Sequence, residues 1–444
     1  MIGRVRYWRD LERWVPGGLA ALDVAFPLVP VGELLRPRRE AVSVKEFSGC
    51  EPITIHFDGS IDRRDRTRPF KGAMFAAHPG DVIFSKIDVR NGAIAIIPPS
   101  FKKVVVTSEY PIHVPDTKQV DPRYLALLLR SPNFLHLLKS AASGTSGRKR
   151  VDADNFGGLE IPLPDPPEQT ALLDAYEKAR NAADVLEAEA KRTEHHGIQE
   201  FESALGLTPP PDLPRRLLQI AYFRQIEKWS HEGILHRSLV GDALPESHFD
   251  IVLLEEVARV TYGLQKCPTN RPGRNARPYL RVANVQQGRL DLRVIKFINV
   301  SDKEMTGLRL EVGDILLCEG NSADLVGRGA IWNGEIPECV HQNHVLKVRV
   351  LDKRRVLPEF ILEYINCSQG QAYFRSKAKR TTNLASINST EVAQMPLPLP
   401  STVDEQAHLL KGLRAARKSA ASLRQEANRI KAAAWNDFLG AVFH

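Results

Sequence analysis

Leu172, Tyr176, Ala179, Ala183, Leu186, Ala190, Thr193 and Gly197 follow one another at alternating steps of four and three residues. Leu409, Leu413, Ala416, Ala420, Leu423, Ala427, Ile430 and Ala434 repeat those steps, each 237 residues after its counterpart. Alternating four-three spacing lays one narrow apolar stripe along one helix face, which is the seam of a coiled coil. Alanine dominates the stripe, so two such helices can approach closely. Two unrelated surface helices would not share a register over eight positions.

Other segments repeat in the same order. Tyr7–Trp14 resembles Tyr222–Trp229, and Pro79-Gly80-Asp81-Val82-Ile83-Phe84-Ser85 resembles the stretch Glu311 to Leu317, with Asp81 matching Asp314. Pro122-Arg123-Tyr124-Leu125 matches Pro358-Glu359-Phe360-Ile361, Ile161-Pro162-Leu163-Pro164 matches Leu397-Pro398-Leu399-Pro400, and Glu168-Gln169 matches Glu405-Gln406. The separation grows gradually along the chain, as in a duplicated unit with loop insertions. The reading is therefore two halves, roughly 1–207 and 220–444, each a mixed domain followed by a long helix.

The strands expected in the first half are Val82-Ile83-Phe84, Ala93–Ile97 and Val104-Val105-Val106, with Asn91-Gly92 as a turn. Their counterparts are Asp314–Leu317, Gly329–Trp332 and Val345–Val350. Helices are expected to begin near Pro122 and Pro358, since proline suits a first helical turn. The connection Leu207-Thr208-Pro209-Pro210-Pro211-Asp212 is expected to break the first long helix. A helix of about 40 residues is about 60 Å long. The second domain joins the end of one long helix to the start of the other, so an antiparallel pair needs no long return path. The expected fold is α+β: two mixed α/β domains in a tandem pseudo-two-fold repeat, separated by an antiparallel coiled coil. The expected bounds are 1–164, 165–207 (spacer helix), 208–400 and 401–444 (spacer helix).

Composition narrows the partners. The 444 residues are 43% hydrophobic, enough for two cores, and carry a formal net charge of +8. The pI of about 9.2 favours an acidic partner such as nucleic acid. Five cysteines without CxxC spacing suit a reducing cytosol. No uninterrupted apolar span of membrane length is present, and Arg4, Arg6, Arg9 and Asp10 interrupt any signal-peptide core. A cytoplasmic protein without a membrane partner is expected.

With these residues in view, the chain resembles the DNA specificity subunit of type I restriction-modification systems. Two variable domains, each closed by a Pro-Leu-Pro passage and a Glu-Gln at the head of a long helix, carry the likeness. Pro278–Gln286, Gly313–Leu317, Glu319-Gly320-Asn321-Ser322 and His341-Gln342-Asn343-His344 are similar to that family's target-recognition domain, as are Pro79–Lys86 and Asn91-Gly92-Ala93. Residues 40–75 match least. The resemblance implies a non-catalytic subunit in which each domain reads one half of a bipartite double-stranded DNA target. It implies two methyltransferase subunits docked on the helices, and motor-nuclease restriction subunits in the restricting complex. S-adenosylmethionine would belong to the methyltransferase, which methylates adenine, and ATP and Mg to the motor-nuclease; none is expected in this chain.

The DNA-contact candidates are basic and polar loops. Gly144 to Arg150 offers Thr145, Ser146, Arg148, Lys149 and Arg150; its glycines let backbone approach phosphate, and its cations reach phosphate or guanine. The matching segment of the second half offers Lys379, Arg380, Thr381, Thr382 and Asn383. Lys86, Arg90 and Asn91 lie on a turn beside the first domain's strands. Tyr262, Gln265, Lys266, Asn270 and Arg274 precede the Tyr279 strand, and Asn321, Arg328, Gln342 and His344 complete the set. The bland alternative for each is a solvated polar loop.

Catalytic and metal signatures are missing from the sequence. Cys339, His341 and His344 cluster without a second ligand pair at zinc spacing. Gly144 to Lys149 has the wrong spacing for a phosphate-cradling loop, Gly327-Arg328-Gly329 is a fragment of a dinucleotide fingerprint, and no Asn-Pro-Pro-aromatic motif is present. The competing readings are a stand-alone DNA methyltransferase and a recognition subunit of another modification or phage-defence system. S-adenosylmethionine binding by the isolated chain separates the first of these from a non-catalytic subunit.

Overall fold

The computed structural model describes residues 24–57, 59–64, 66, 68–141, 156–210, 222, 234, 245–322, 325–380 and 384–443. They fall into two compact units, Met1–Glu187 with Arg424–His444, and Ala188–Leu423.

In the first unit, β1 (Leu28–Pro30) runs antiparallel to β11 (Glu160–Pro162), so the strand entering the domain pairs with the strand leaving it. A one-turn helix α1 (Val31–Leu34) leads into a sheet of β2 (Leu35–Pro37), β10 (Ile112–Pro115), β7 (Val82–Phe84) and β8 (Ile94–Ile96), in that order. A five-stranded sheet places β3 (Glu40–Ala41), β6 (Met74–Ala77), β9 (Val104–Thr107), β4 (Glu51–Ile55) and β5 (Ile61–Arg63) side by side. Helices α2 (Pro122–Leu129) and α3 (Pro132–Ala141) cover the first sheet, and Tyr124, Leu125, Leu128 and Phe134 are buried against its Val82, Phe84 and Ile94.

The second unit repeats this plan. β12 (Ile251–Leu253) pairs with β25 (Pro396–Pro398), and α5 (Leu254–Val257) leads to the order β13 (Ala258–Thr261), β22 (Val345–Val350), β18 (Ile315–Cys318), β20 (Gly329–Ile331). Helices α7 (Pro358–Asn366) and α8 (Ser368–Lys377) stand where α2 and α3 stood. The halves differ in the other sheet. Here it has three strands, β17 (Lys296–Asn299), β14 (Ala276–Leu280) and β21 (Val340–His341), and a hairpin of β15 (Val285–Gln286) and β16 (Arg289–Leu290) follows β14.

Two repeated motifs acquire physical reasons. In the Gly-Asp motif, Gly80 and Gly313 hold φ of 88° and 93°, a left-handed turn that glycine adopts without strain. The following aspartates bond back to the turn: Asp81 accepts from the His78 N–H at 2.8 Å and Asp314 from the Glu311 N–H at 2.7 Å. Both carboxylates are buried and need a cation. Arg38, just past β2, serves Asp81 at 2.7 Å. Arg349, within β22, serves Asp314 at 2.7 Å. The same buried charge is thus met from different strands.

In the Glu-Gln motif the glutamine is a clamp. Gln169 accepts from the Asp121 N–H at 2.7 Å and donates to the carbonyls of Gln119 (2.8 Å) and Pro164 (2.9 Å). Gln406 repeats this with the Leu357 N–H (2.9 Å) and the carbonyls of Arg355 (3.0 Å) and Pro400 (3.2 Å). Each buried amide therefore joins the head of a long helix to the start of α2 or α7, where Pro122 and Pro358 occupy the first turn. The glutamates close the caps, accepting from the Asp165 and Ser401 N–H groups.

The long helices are α4 (Pro166–Ala204, 39 residues) and α10 (Val403–Val442, 40 residues). Within the first unit Tyr176 meets Phe438, and Lys431 bridges Asp184 at 3.0 Å and Glu187 at 2.9 Å. Within the second, Glu194 is 4.0 Å from Arg417, and Gly197 faces Ala416. Numbers rise along α4 as they fall along α10, so the pairing is antiparallel in each unit. Along α4, Ala183, Ala190 and Gly197 are buried while their exposed neighbours Asp184, Glu189 and His196 carry the charge, which is the seam read from the sequence. The first long helix ends directly ahead of the Leu207–Asp212 connection, but glycine rather than proline terminates it. α4 stops at Ala204, before the prolines, because Gly206 (φ 73°) turns left-handed. The Leu207 N–H then reaches back to the Glu202 carbonyl at 3.0 Å, and the Gly206 N–H to Ser203 at 2.9 Å, a glycine-terminated cap.

Candidate nucleic-acid interface

In the first domain the turn after β7 carries three candidates. The Lys86 N–H donates to the Glu109 carbonyl at 3.0 Å, which fixes its backbone beside the β9–β10 connection. Lys86 is half-buried and Asn91 exposed; Val89–Asn91 forms a single tight helical turn capped by Gly92 (φ 102°). Arg90 lies on that turn. Thr145, Ser146, Arg148, Lys149 and Arg150 lie outside the described residues, as do Thr381, Thr382 and Asn383 in the second domain.

The second domain draws several candidates together. Asn321 ends the short strand β19 (Gly320–Asn321), which pairs with β24 (Ala385–Ser386); β24 pairs in turn with β23 (Lys379–Arg380). Asn321, Ala385 and Arg380 therefore face one another across three strands, although 59 residues separate Asn321 from Arg380 in sequence. Lys379 is exposed. A second group forms around His341–His344. Leu264 bridges to Gln342, the Leu264 N–H donates to the His341 carbonyl at 2.8 Å, and the Asn343 N–H donates to Leu264 at 3.0 Å. Gly263 makes this approach possible, since a Cβ there would collide with the His341 and Gln342 carbonyls. Tyr262 is exposed beside it, with its hydroxyl accepting from the Ser389 N–H at 3.1 Å.

Glu319 joins the two groups. Its N–H donates to the His344 carbonyl at 3.1 Å, its carbonyl accepts from the Ile387 N–H at 2.9 Å beside β24, and its carboxylate meets His344 Nδ1 at 2.6 Å. Gln342, His344, Asn321, Lys379 and Arg380 thus share one region of the second domain. Asn270 is spent on its own turn: its Oδ1 accepts from the Cys267 N–H at 2.9 Å and its Nδ2 donates to the Gln265 carbonyl at 2.7 Å. Lys266 and Arg274 are exposed on the same loop, and among the described residues no hydrogen bond ties them to the cluster. Arg328 turns inward. It is half-buried beside Cys318, whose thiol burial pushes up against the guanidinium's opposing pull.

The cysteine and histidines near 340 take separate partners. His341 donates from Nδ1 to the Val345 carbonyl at 2.7 Å, and burial pushes its pKa down to about 4, so it is neutral at pH 7. Cys339 turns to the Val340 carbonyl at 3.5 Å, and His344 to Glu319. Among the described residues no group of three or more His, Cys, Asp or Glu is placed to hold a metal ion, and no helix is long and apolar enough to cross a membrane.

No family model matches the sequence. Curated relatives do. The chain is 27% identical over 135 residues to the type I restriction enzyme MjaX specificity subunit of Methanocaldococcus jannaschii, covering 30% of this chain and 31% of that protein. It is 28% identical over 143 residues to the type I restriction enzyme EcoEI specificity subunit of Escherichia coli, covering 31% and 24%. Over about a third of its length the chain is thus similar to type I restriction specificity subunits. It spans less than a third of the length of these two relatives. A chain from a solved structure of a type I restriction-modification system aligns over 95% of this chain and 99% of its own length, at 16% identity and a TM-score of 0.48.

Glu319 is the residue of this region that the sequence reading leaves out. It stands within the Glu-Gly-Asn-Ser motif but outside the expected DNA contacts, because a carboxylate is an odd guest on a basic surface. The signal lies in the repeat. Continuing the Asp81–Asp314 match by five residues pairs Lys86 with Glu319.

Proposed function

We propose that this chain is the non-catalytic DNA-reading subunit of a type I system, each domain reading one half of a split double-stranded target. The observation that carries it is the duplicated domain, clamped each time by a buried glutamine to a long helix whose partner runs antiparallel to it. A repeated reader on a stiff spacer has the form that a bipartite target requires. The bounds we assign are 1–164 and 208–400 for the readers and 165–207 and 401–444 for the spacers. Phosphate contacts come from the basic loops, including Arg148, Lys149, Arg150, Lys379 and Arg380, and base contacts from Lys86, Asn91, Asn321 and Gln342. Two methyltransferase subunits dock on the helices and bring S-adenosylmethionine; restriction subunits bring ATP and Mg. The chain itself supplies position, and cytoplasmic DNA is its substrate.

The test is co-expression with the cognate methyltransferase subunit and mapping of methylated adenines across a genome. A split motif with a fixed gap is expected. An uninterrupted motif, or S-adenosylmethionine binding by the isolated chain, overturns the reading.

A further inference from the structure

Lys86 and Glu319 occupy the same place in the two domains. Each follows the central strand of the equivalent sheet, two residues past Phe84 and Leu317, which pair with Ile94 and Gly329 on the matching neighbour strands. The residue before each bonds its N–H across the following turn, Ser85 to Ala93 and Cys318 to Arg328, both at 3.0 Å. Their own N–H groups bond equivalent carbonyls, Glu109 at 3.0 Å and His344 at 3.1 Å. The backbone is thus held the same way twice while the side chain reverses its charge. The fold requires neither charge there.

The carboxylate has little structural reason to be present. Its side chain is 23% exposed, and its one hydrogen-bond partner among the described residues is His344, itself 56% exposed. That bond occupies Oε2 and leaves Oε1 as an acceptor. The region also holds Asn321, Lys379 and Arg380. A carboxylate repels DNA phosphates, so in a DNA-facing region it weakens backbone binding unless it meets a donor on a base edge. Major-groove donors are the exocyclic amino groups, N4 of cytosine and N6 of adenine.

We propose that Glu319 is a specificity-determining residue of the second domain, accepting a hydrogen bond from an exocyclic amino group of adenine or cytosine. Lys86 uses the equivalent position of the first domain with reversed polarity, donating to guanine O6 or N7. His344 is a positioning residue that holds the Glu319 carboxylate in place. This rests on the DNA-reading function above.

The test uses the full chain assembled with its methyltransferase and duplexes bearing the mapped motif. Each adenine or cytosine of the second half-site is replaced in turn by purine or 2-pyrimidinone, which lack the amino group. The wild type is expected to lose about tenfold in affinity at one position, the size of one good base contact. Glu319→Ala is expected to lose less than twofold there, with the first half-site read unchanged. A wild type indifferent to every amine, or a Glu319→Ala complex equally sensitive to the same one, overturns the proposal. Should Glu319→Ala fold poorly, Glu319→Met takes its place, and the wild-type amine scan stands alone as a refutation. A complex that reads no split motif at all contradicts the function instead, so the two failures are distinguishable. Swapping adenine for cytosine at the sensitive position identifies which base is read.

Discussion

The second unit buries a carboxylate that the first does without. Glu363, on α7, is 6% exposed, and its counterpart 236 residues earlier is the buried Leu127. Its charge is met by Arg417 on α10, which also lies 4.0 Å from Glu194 on α4; Glu359 and Arg414 pair one turn away, with Arg414 Nε 2.7 Å from the carboxylate. Burial outweighs the attraction of Arg417, and the Glu363 pKa is pushed up to about 7 from an ordinary 4.5. In the unfolded chain this group ionises near 4.5, whereas in the folded chain it keeps its proton to about 7. Below pH 4.5 both states hold the proton and stability is full. Between pH 4.5 and 7 the unfolded state gains by ionising first, so stability falls, and above 7 the loss is complete. At about 1.36 kcal/mol per pH unit the loss is about 3 kcal/mol. Glu363→Gln removes this titration while keeping the shape. Urea unfolding of both proteins at pH 5 and pH 8, followed by circular dichroism and tryptophan fluorescence, measures it. The decline in stability from pH 5 to pH 8 should be about 2–3 kcal/mol smaller in the variant than in wild type. An identical pH dependence would refute the argument, since all other groups titrate in both proteins.

Gly197→Ala sets two effects against each other: helix propensity gains about 1 kcal/mol, but the new Cβ would sit 2.5 Å from the Ala416 Cβ, and overpacking costs about 1–3 kcal/mol. Net destabilisation is expected in thermal melts, whereas Gly412→Ala, with nothing within 4 Å, should raise stability. Gln406→Ala strands the Leu357 N–H and two carbonyls, and should lower unfolding free energy by about 2 kcal/mol or more, as read by urea titration. Arg148→Ala, Lys149→Ala and Arg150→Ala together should weaken DNA binding and lower the slope of log affinity against log salt by about one for each phosphate no longer neutralised; an unchanged slope removes these residues from the interface. One heptad added after both Leu186 and Leu423 keeps the seam in register and lengthens each helix by about 10 Å. The gap of the methylated motif should then widen, by up to about three base pairs at about 3.4 Å each, with both half-sites unaltered.

The seam is legible in the sequence because a coiled coil writes its geometry into spacing, and Ala183, Ala190, Ala420 and Ala427 are buried where that spacing puts them. The Gly-Asp and Glu-Gln repeats are legible as motifs but not as mechanisms. That Asp81 finds Arg38 and Asp314 finds Arg349 depends on strand pairing, which no local pattern encodes. The alignment of Asn321 and Arg380 on either side of Ala385 is likewise a product of topology. The β15–β16 hairpin is invisible because Val285–Leu290 is too short and too polar for a period-two signal. Glu319 escapes notice for a different reason: positive charge is the usual guide to DNA contacts, and it finds phosphates better than bases.

The central claim is that two separable domains read two separable half-sites. Replacing residues 250–395 with the equivalent region of another specificity subunit, and mapping methylated adenines beside those of the parent chain, tests it directly. The account predicts that one half of the motif changes while the other half and the gap stay as they were. A motif in which both halves change, or in which the gap shifts, would contradict it.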